Sequence, residues 1–466
     1  MLEGDLPVCF ITPKLGTEKR WSVSRSVHTR LSPVDVLHLR TTSFKQTQPE
    51  SSDPEDLEAR RRASPTRRYS LDIIFAVAAL FGAIHFATPL AYYMHLRRYL
   101  RRSWNLQLDS SYIPKTTVMI PTFNESGLIE ARLDNIKMQL FPKEKLDVIV
   151  IDSGSTDGTA ERVKSWSTEN PDLKITLIRE PVRKGKAQAL NSGLGQATGD
   201  VVVMTDADAR WDKVSLRNAV SYFSDTKVGA VTGIKEPIFQ SGGGKSIELA
   251  YRRSYNAVRI AESKIHSTPI FNGELSAFKK DLLDEIGGFQ TSIGADDSHA
   301  AALVSLSGFR SIAVPDVPVF EFAPNSWFGY VKWKKRRALH LIQHFKAIAR
   351  RIRAAPPRFR SILEIEIFLH VLNPWFLVAA VASFAASVLT MGFSLYHLTL
   401  ILSLGATQFA GGSRKALRTW VVDQLILVYA SVSGLFSSEL VWPKIQELRT
   451  PTKSETSDDT TKIPAY

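Results

Sequence analysis

The sequence predicts an α/β domain, a mixed and mostly parallel sheet with flanking helices, joined to transmembrane helices. Three observations carry this. Short apolar, β-branched runs alternate with helical stretches between residues 116 and 205, the pattern of parallel strands with helices on both sheet faces. Apolar stretches near residue 80 and after residue 368 are long enough to cross a bilayer. The run Val201-Val202-Val203-Met204-Thr205 reads as a buried strand that delivers Asp206 and Asp208 at its C-terminal end.

The 466 residues carry a net charge of +13 and a single cysteine, Cys9. One cysteine excludes an intramolecular disulfide framework and any cysteine-built metal site. The positive charge admits nucleic acid, an anionic membrane surface or anionic substrates as partners. Its distribution favours the membrane. Arg60-Arg61-Arg62, Arg97-Arg98, Arg101-Arg102, the trio Arg350, Arg351 and Arg353, and Arg414-Lys415 all flank the apolar stretches. Membrane lipids are therefore expected partners, and nucleic acid is not.

Residues 1–69 are rich in Ser, Thr, Pro and charge and are expected to be a disordered tail. Residues 70–95 form the first expected transmembrane helix, with Tyr92 and Tyr93 as interfacial aromatics. Basic clusters on both sides leave its orientation open. Residues 96–325 are expected to be the α/β domain, with strands at 118–120, 148–151, 175–178, 201–205 and 228–233 and a strand and turn over 271–278. Helices are expected at 129–140, 160–167, 247–264 and 280–286, the last stopped by Gly287-Gly288. Gly242-Gly243-Gly244 marks a flexible connection.

Over 326–360, Ala338, Leu341, Ile342, Phe345 and Ile348 recur at three- and four-residue spacing among lysines and arginines, which predicts an amphipathic helix lying in the membrane interface. Residues 369–442 are expected to hold about three membrane helices, at 369–389, 395–411 and 420–442, with Asp423 near one end of the last. Residues 443–466 form a polar tail. Placing 96–360 and 412–418 in the cytosol satisfies most of the charge bias.

Asp206 and Asp208 sit at i and i+2 of an extended chain, so both carboxylates point the same way. Two hard oxygen donors at the C-terminal end of a strand suit Mg²⁺ or Mn²⁺ bound together with substrate phosphates. They belong to an ordered set: Pro121-Thr122-Phe123-Asn124-Glu125, Asp152-Ser153-Gly154-Ser155-Thr156-Asp157-Gly158-Thr159, Gly185-Lys186-Ala187-Gln188-Ala189-Leu190-Asn191, Asp206-Ala207-Asp208, Ile286-Gly287-Gly288-Phe289 and Ala295-Asp296-Asp297. In this set and order the chain resembles membrane-bound glycosyltransferases of family 2, whose catalytic domain has the GT-A fold and which include the cellulose, hyaluronan and chitin synthases. The resemblance runs from about residue 117 to 341.

The resemblance implies an inverting, metal-dependent hexosyltransferase that moves a sugar from a nucleotide-sugar, a UDP-sugar being expected, to a lipid-linked or polysaccharide acceptor. Thr122, Glu125 and Asp152 would then contact the nucleoside, and Lys186 at a helix start would face the anionic donor. Asp208 would coordinate Mg²⁺ or Mn²⁺ directly, with Asp206 on the nucleotide-sugar and behind the metal. Asp297 would be the catalytic base, its proton affinity raised by Asp296. Asn272, Gly273 and Asp296 would lie on the acceptor side. The family's QXXRW motif is only partly matched: in Lys334-Lys335-Arg336-Arg337-Ala338, Lys stands for Gln and Ala for Trp. Arg336 or Arg337 is left to bind the diphosphate, and His340 to take the aromatic position. The rival reading is a catalytically inactive, membrane-anchored nucleotide-binding or scaffold protein.

Overall fold

The first element of the described residues is a 36-residue helix, α1 (Pro65–Leu100). It then alternates β1 (Thr116–Thr122), α2 (Ile129–Lys137), β2 (Leu146–Ser153), α3 (Thr159–Glu169), β3 (Lys174–Glu180), α4 (Lys186–Leu194) and β4 (Val201–Met204). A short β5 (Arg210–Trp211), α5 (Ser215–Ser221), β6 (Val228–Ile238), α6 (Lys245–Ile265), β7 (Ser276–Lys279), α7 (Lys280–Glu285), α8 (Asp296–Leu306) and β8 (Arg310–Phe322) follow. The last helices are α9 (Trp327–Ala349), α10 (Pro357–Ile367), α11 (Asn373–Met391), α12 (Leu395–Ala406) and α13 (Gly411–Phe436). The computed structural model describes residues 65–239, 245–324, 326–406 and 411–436. The expected tails, apart from residues 65–69, and the 242–244 connection lie outside these residues.

The strands form one eight-stranded sheet in the order β3-β2-β1-β4-β7-β6-β8-β5. β1 runs parallel to β2 and β4, and β2 parallel to β3. β7 is antiparallel to both β4 and β6, while β6 and β8 are parallel. Side chains leave each strand with a period of two. Val118, Ile120, Val148, Val150 and Val203 therefore pack on one face with Ile129 and Leu133 of α2 and Val163 of α3. Met119, Ile149, Ile151, Val202 and Met204 pack on the other with Leu190 of α4, Leu283 of α7 and Val304 of α8. Burial on both faces is why these strands are continuous apolar runs. This mixed, curled sheet with helices on both sides is the GT-A fold.

Two of the sequence motifs act as staples at the C-terminal edge of the sheet. Asn124, in the left-handed conformation at φ 52°, donates its N–H to Ser155 Oγ and accepts from Thr156 N–H, both at 2.8 Å. The Glu125 N–H donates to Thr159 Oγ1 and the Ser126 N–H to Asp157. The loops after β1 and β2 are thus fixed to each other. The Asn191 amide holds both backbone groups of Phe289 at 2.8 Å, tying the second half of α4 to the Gly287-Gly288-Phe289 turn.

β8 was not foreseen. Its alternation of Ile312, Val314, Val317 and Val319 is broken by Pro315 and Pro318, which hides a strand in the sequence. A register shift against β6 between Gly233 and Ile234 absorbs the irregularity.

Among the described residues, three helices are long and apolar enough to cross a membrane: Ile73–Leu100, Pro357–Thr390 and Leu417–Phe436. The second runs through α10, a π-helical turn over Phe368–Leu372 and α11. α12 has 12 residues, a rise of about 18 Å, short of the ~30 Å hydrocarbon core. The rest of its expected span, and the end of the last one, fall outside the described residues. The amphipathic helix expected over 326–360 is two helices with a turn between them. α9 is covered by protein on two sides: Phe345 and Ile348 pack with Leu303, Phe359 and Leu363, and Ala338, Leu339 and Ile342 pack with Ile426, Leu427 and Ala430 of α13.

Candidate active site

Strand direction brings the site together. β4 ends at Met204 opposite Ser276, the first residue of antiparallel β7. The turn Asn272-Gly273-Glu274 therefore arrives beside Asp206. Gly273 allows the closest approach: a Cβ there would lie 3.0 Å from Lys186 Nζ, 3.1 Å from Asp206 Oδ2 and 3.6 Å from Asp297 Oδ2. Strand, turn and the first turns of α4 and α8 meet around that missing side chain.

Lys186 Nζ contacts Asp206 Oδ1 at 2.7 Å and Asp296 Oδ2 at 4.0 Å. Burial works against the lysine's charge, but Asp206, Asp296 and Asp297 outweigh it and hold its pKa above the ordinary value. Asp208 has no ion pair among the described residues. Burial, then Asp206, Glu321, Glu125 and Glu274, push its pKa up to about 7. Asp297 is also raised to about 7, by burial first and Asp296 next. Its Oδ1 accepts the Ser298 N–H at 2.6 Å and the Ser298 hydroxyl at 3.2 Å, leaving Oδ2 turned toward Gly273.

These groups line one cavity of 1510 Å³, together with Glu125, Asn272, Gly273, Arg336 and Arg337. Thr122 and Asp152 are register partners on β1 and β2 outside its lining. The Thr122 hydroxyl donates to Ile151 O, whereas buried Asp152 Oδ1 has no hydrogen-bond partner among the described residues. Asn272 is built into the scaffold, its amide donating to Gly233 O at 2.9 Å.

The two arginines expected to share one task differ. Arg337 is held by protein partners: it pairs with Glu321 at 2.5 Å and Glu274 at 3.3 Å and stacks over Trp333. Lys235 contacts both carboxylates too, closing a buried quartet of two cations and two anions. Arg336 makes no ion pair among the described residues and lines the cavity with Asp206 and Asp208. The departures from the family motif also find partners. Lys334 sits between Glu248 at 3.0 Å and Asp423 at 3.5 Å, and Ala338 packs against α13 where a tryptophan would not fit without displacing it. His340 lies on Gly294, where a Cβ would be 2.3 Å from the ring.

Sequence reasoning missed Lys235, Glu274, Glu321 and Arg132. Arg132 is fully buried, donates to Thr205 Oγ1 at 2.8 Å and stacks on Trp211 at 4.0 Å. Thr205 and Trp211 both donate to Glu274 O at 2.7 Å, bracing the Asp206-Ala207-Asp208 turn against the Gly273 turn. A charged residue inside an apolar helix or strand pattern was the available signal.

A cation fits here by its chemistry: Asp206 and Asp208 offer hard oxygens in a surplus of negative charge. Among the described residues no three His, Cys, Asp or Glu side chains form a metal cluster on their own.

The family model "Glycosyl transferase family 2" matches residues 117–287. The structure resembles the mannosyltransferase PcManGT of Pyrobaculum calidifontis, solved with GDP-Man and Mn²⁺, at a TM-score of 0.69 and 44% identity over 78% of this chain and 99% of that one. The probable glycosyltransferase YdaM of Bacillus subtilis is 27% identical over 48% of this chain and 54% of its own length. A Staphylococcus aureus poly-beta-1,6-N-acetyl-D-glucosamine synthase is 28% identical over 52% of this chain and 58% of its own. The chain thus spans little more than half the length of these two curated relatives. The match over nearly all of the Pyrobaculum calidifontis mannosyltransferase, with the ordered motifs and the sheet that carries them, makes this chain a member of glycosyltransferase family 2.

Proposed function

We propose that the chain is an integral membrane enzyme with its catalytic domain facing the cytosol. It transfers a hexose from a nucleotide-sugar to a lipid-linked or glycan acceptor, with inversion. A GDP-sugar, GDP-mannose first, is the donor favoured over the UDP-sugar expected from the motifs, because the relative matched over 99% of its length was solved with GDP-Man. The observation that carries the reading is the convergence of Lys186, Asp206 and Asp297 on Gly273, in a cavity that also holds Asp208 and Arg336.

Asp208 would hold Mn²⁺ or Mg²⁺ together with donor phosphate oxygens, and Asp206, already committed to Lys186, would stand behind it. Such an ion, when bound, offsets charge developing on the departing diphosphate. Lys186 and Arg336 bring two further cations to that diphosphate. Glu125 on the cavity wall accepts hydrogen bonds from the nucleoside, and Asp152, just behind that wall, would do so where the nucleoside reaches its Oδ1, which has no partner among the described residues. Asp297 takes the proton of the acceptor hydroxyl at Oδ2, since Oδ1 is occupied by Ser298. The acceptor oxygen bonds to the anomeric carbon as the bond to phosphate breaks, and that electron pair leaves with the nucleoside diphosphate. One in-line displacement inverts the anomeric centre.

The test incubates membranes carrying the protein with labelled GDP-mannose, UDP-glucose and UDP-N-acetylglucosamine, with and without Mn²⁺. Metal-dependent transfer from GDP-mannose is expected. Turnover unchanged in Asp297→Asn would sink the mechanism, and product length separates single transfer from polymerisation.

A further inference from the structure

Asp297 can serve as a base only while α8 is held so that Oδ2 stays turned toward Gly273. The helix start does little to hold itself. Its N-cap position is Ala295, which has no side-chain oxygen for the free amides of the first turn. Gln290, Thr291 and Ser292, in the loop before it, are exposed. Ser298 tethers one side of the first turn, its hydroxyl accepting the Phe271 N–H at 3.0 Å. The other side rests on α9.

Three α9 residues reach α8 and its entry. The His340 ring occupies the place of a side chain at 294, so that a Cβ on Gly294 would overlap it. Gln343 Oε1 accepts the Gly294 N–H at 3.4 Å. Fully buried His344 brings its Nδ1 to 3.3 Å from Nδ1 of His299, in the first turn of α8. Arg336, His340 and Gln343 are four and then three residues apart, which puts them on one face of α9. Arg336 and His340 line the same cavity. The helix that brings Arg336 to the site therefore also grips the residue three before Asp297.

We propose that His340, together with Gln343, is a positioning residue for the catalytic base: it fixes Gly294 and, through Gly294, the place of Asp297 relative to Arg336. This role differs from the aromatic position expected for His340 from the family motif, because it acts on the protein's own backbone. The proposal rests on the glycosyl-transfer reading above, which supplies the task of Asp297.

The test has two arms. Membranes carrying the full chain are given labelled GDP-mannose and Mn²⁺, and the rate at saturating donor is compared with the donor KM. Separately, hydrogen exchange of residues 290–300 is followed by mass spectrometry on the full chain in nanodiscs, without donor. His340→Ala should lower the saturated rate about 10- to 100-fold, the scale of a small misplacement of a reacting group, with the donor KM within about threefold of wild type. Exchange over 290–300 should quicken about threefold or more, as for one lost contact, with β2 unchanged as the sign of an intact fold. His340→Phe keeps a ring of similar volume and should recover most of the rate. Gly294 is not in the left-handed region, so alanine there meets the ring rather than backbone strain. Gly294→Ala should therefore lower the rate in wild type and cost far less in the His340→Ala background. Exchange over 290–300 unchanged in His340→Ala, or an equal cost of Gly294→Ala in both backgrounds, would overturn the proposal. Faster exchange in the variant of a protein that transfers no sugar would support the clamp and count against the transferase reading alone.

Discussion

Two charged clusters lie on the same cavity and are built on opposite principles. The quartet of Lys235, Arg337, Glu274 and Glu321 balances two cations against two anions, and each member contacts its opposites within 3.3 Å. Asp206, Asp208, Asp296 and Asp297 face Lys186, with only Asp206 in close contact with it. Charge that is balanced inside the protein holds α9 to the sheet and needs nothing more. Charge left unbalanced is unfavourable until a cation, a diphosphate-bound metal or a proton arrives, which is what a reaction centre requires. Deleting a member of either cluster should therefore fail in different ways.

The largest effect is expected for Asp297→Asn. Loss of a general base lowers rates by about 10²–10⁴, so transfer from GDP-mannose should fall within that range while donor affinity stays within about threefold. A variant with near wild-type kcat would remove Asp297 from the chemistry. Asp208→Asn comes next: Mn²⁺ binding followed by electron paramagnetic resonance should weaken by more than the ~10-fold that loss of a group behind a ligand costs, and metal-dependent turnover should fall with it. Mn²⁺ bound as tightly as in wild type would shift the metal elsewhere.

On the balanced side, Glu321→Gln should lower the melting temperature and leave kcat less affected than either aspartate variant. Removing one partner of a buried pair costs about 3–5 kcal/mol, because the cations left behind are uncompensated. A large loss of kcat with an unchanged melting temperature would make the quartet part of the chemistry.

The smallest expected effect is a shift in pH dependence. A base works deprotonated, and burial and Asp296 raise Asp297 to about 7. Activity should hold above that pH and decline as pH falls through it. Asp296→Asn removes the like charge but not the burial, so the acid limb of the kcat profile should move to lower pH. A limb that moves upward or stays in place would deny the coupling.

Much of the site could be read before the fold was known. Asp206, Asp208, Lys186, Asp296 and Asp297 were all legible, because a glycine-flanked helix start and a strand-end carboxylate pair are local patterns. The division of labour within them was not. Arg336 and Arg337 are adjacent in the sequence and indistinguishable there. Their difference arises because successive residues of a helix point about 100° apart, so that of the two only Arg337 pairs with Glu274 and Glu321 on other elements. Lys334 and Ala338 looked like lapses in a motif until Asp423 and Ile426 of α13 arrived opposite them. Lys235, Glu274, Glu321 and Arg132 escaped notice because each is a lone charge in an otherwise apolar or turn context, and its partner is up to 86 residues away.

The sequence by itself determined the alternation of strands and helices, the long apolar segments and the chemical character of the loop ends, since all three follow from hydrophobic period and residue type over short windows. Tertiary structure alone decided which charges meet. An ion pair depends on the register between strands and the rotation of a helix against the sheet. Those are set by packing over the whole chain, and so a carboxylate is locked into a balanced quartet at Glu321 and left facing the cavity with one free oxygen at Asp297.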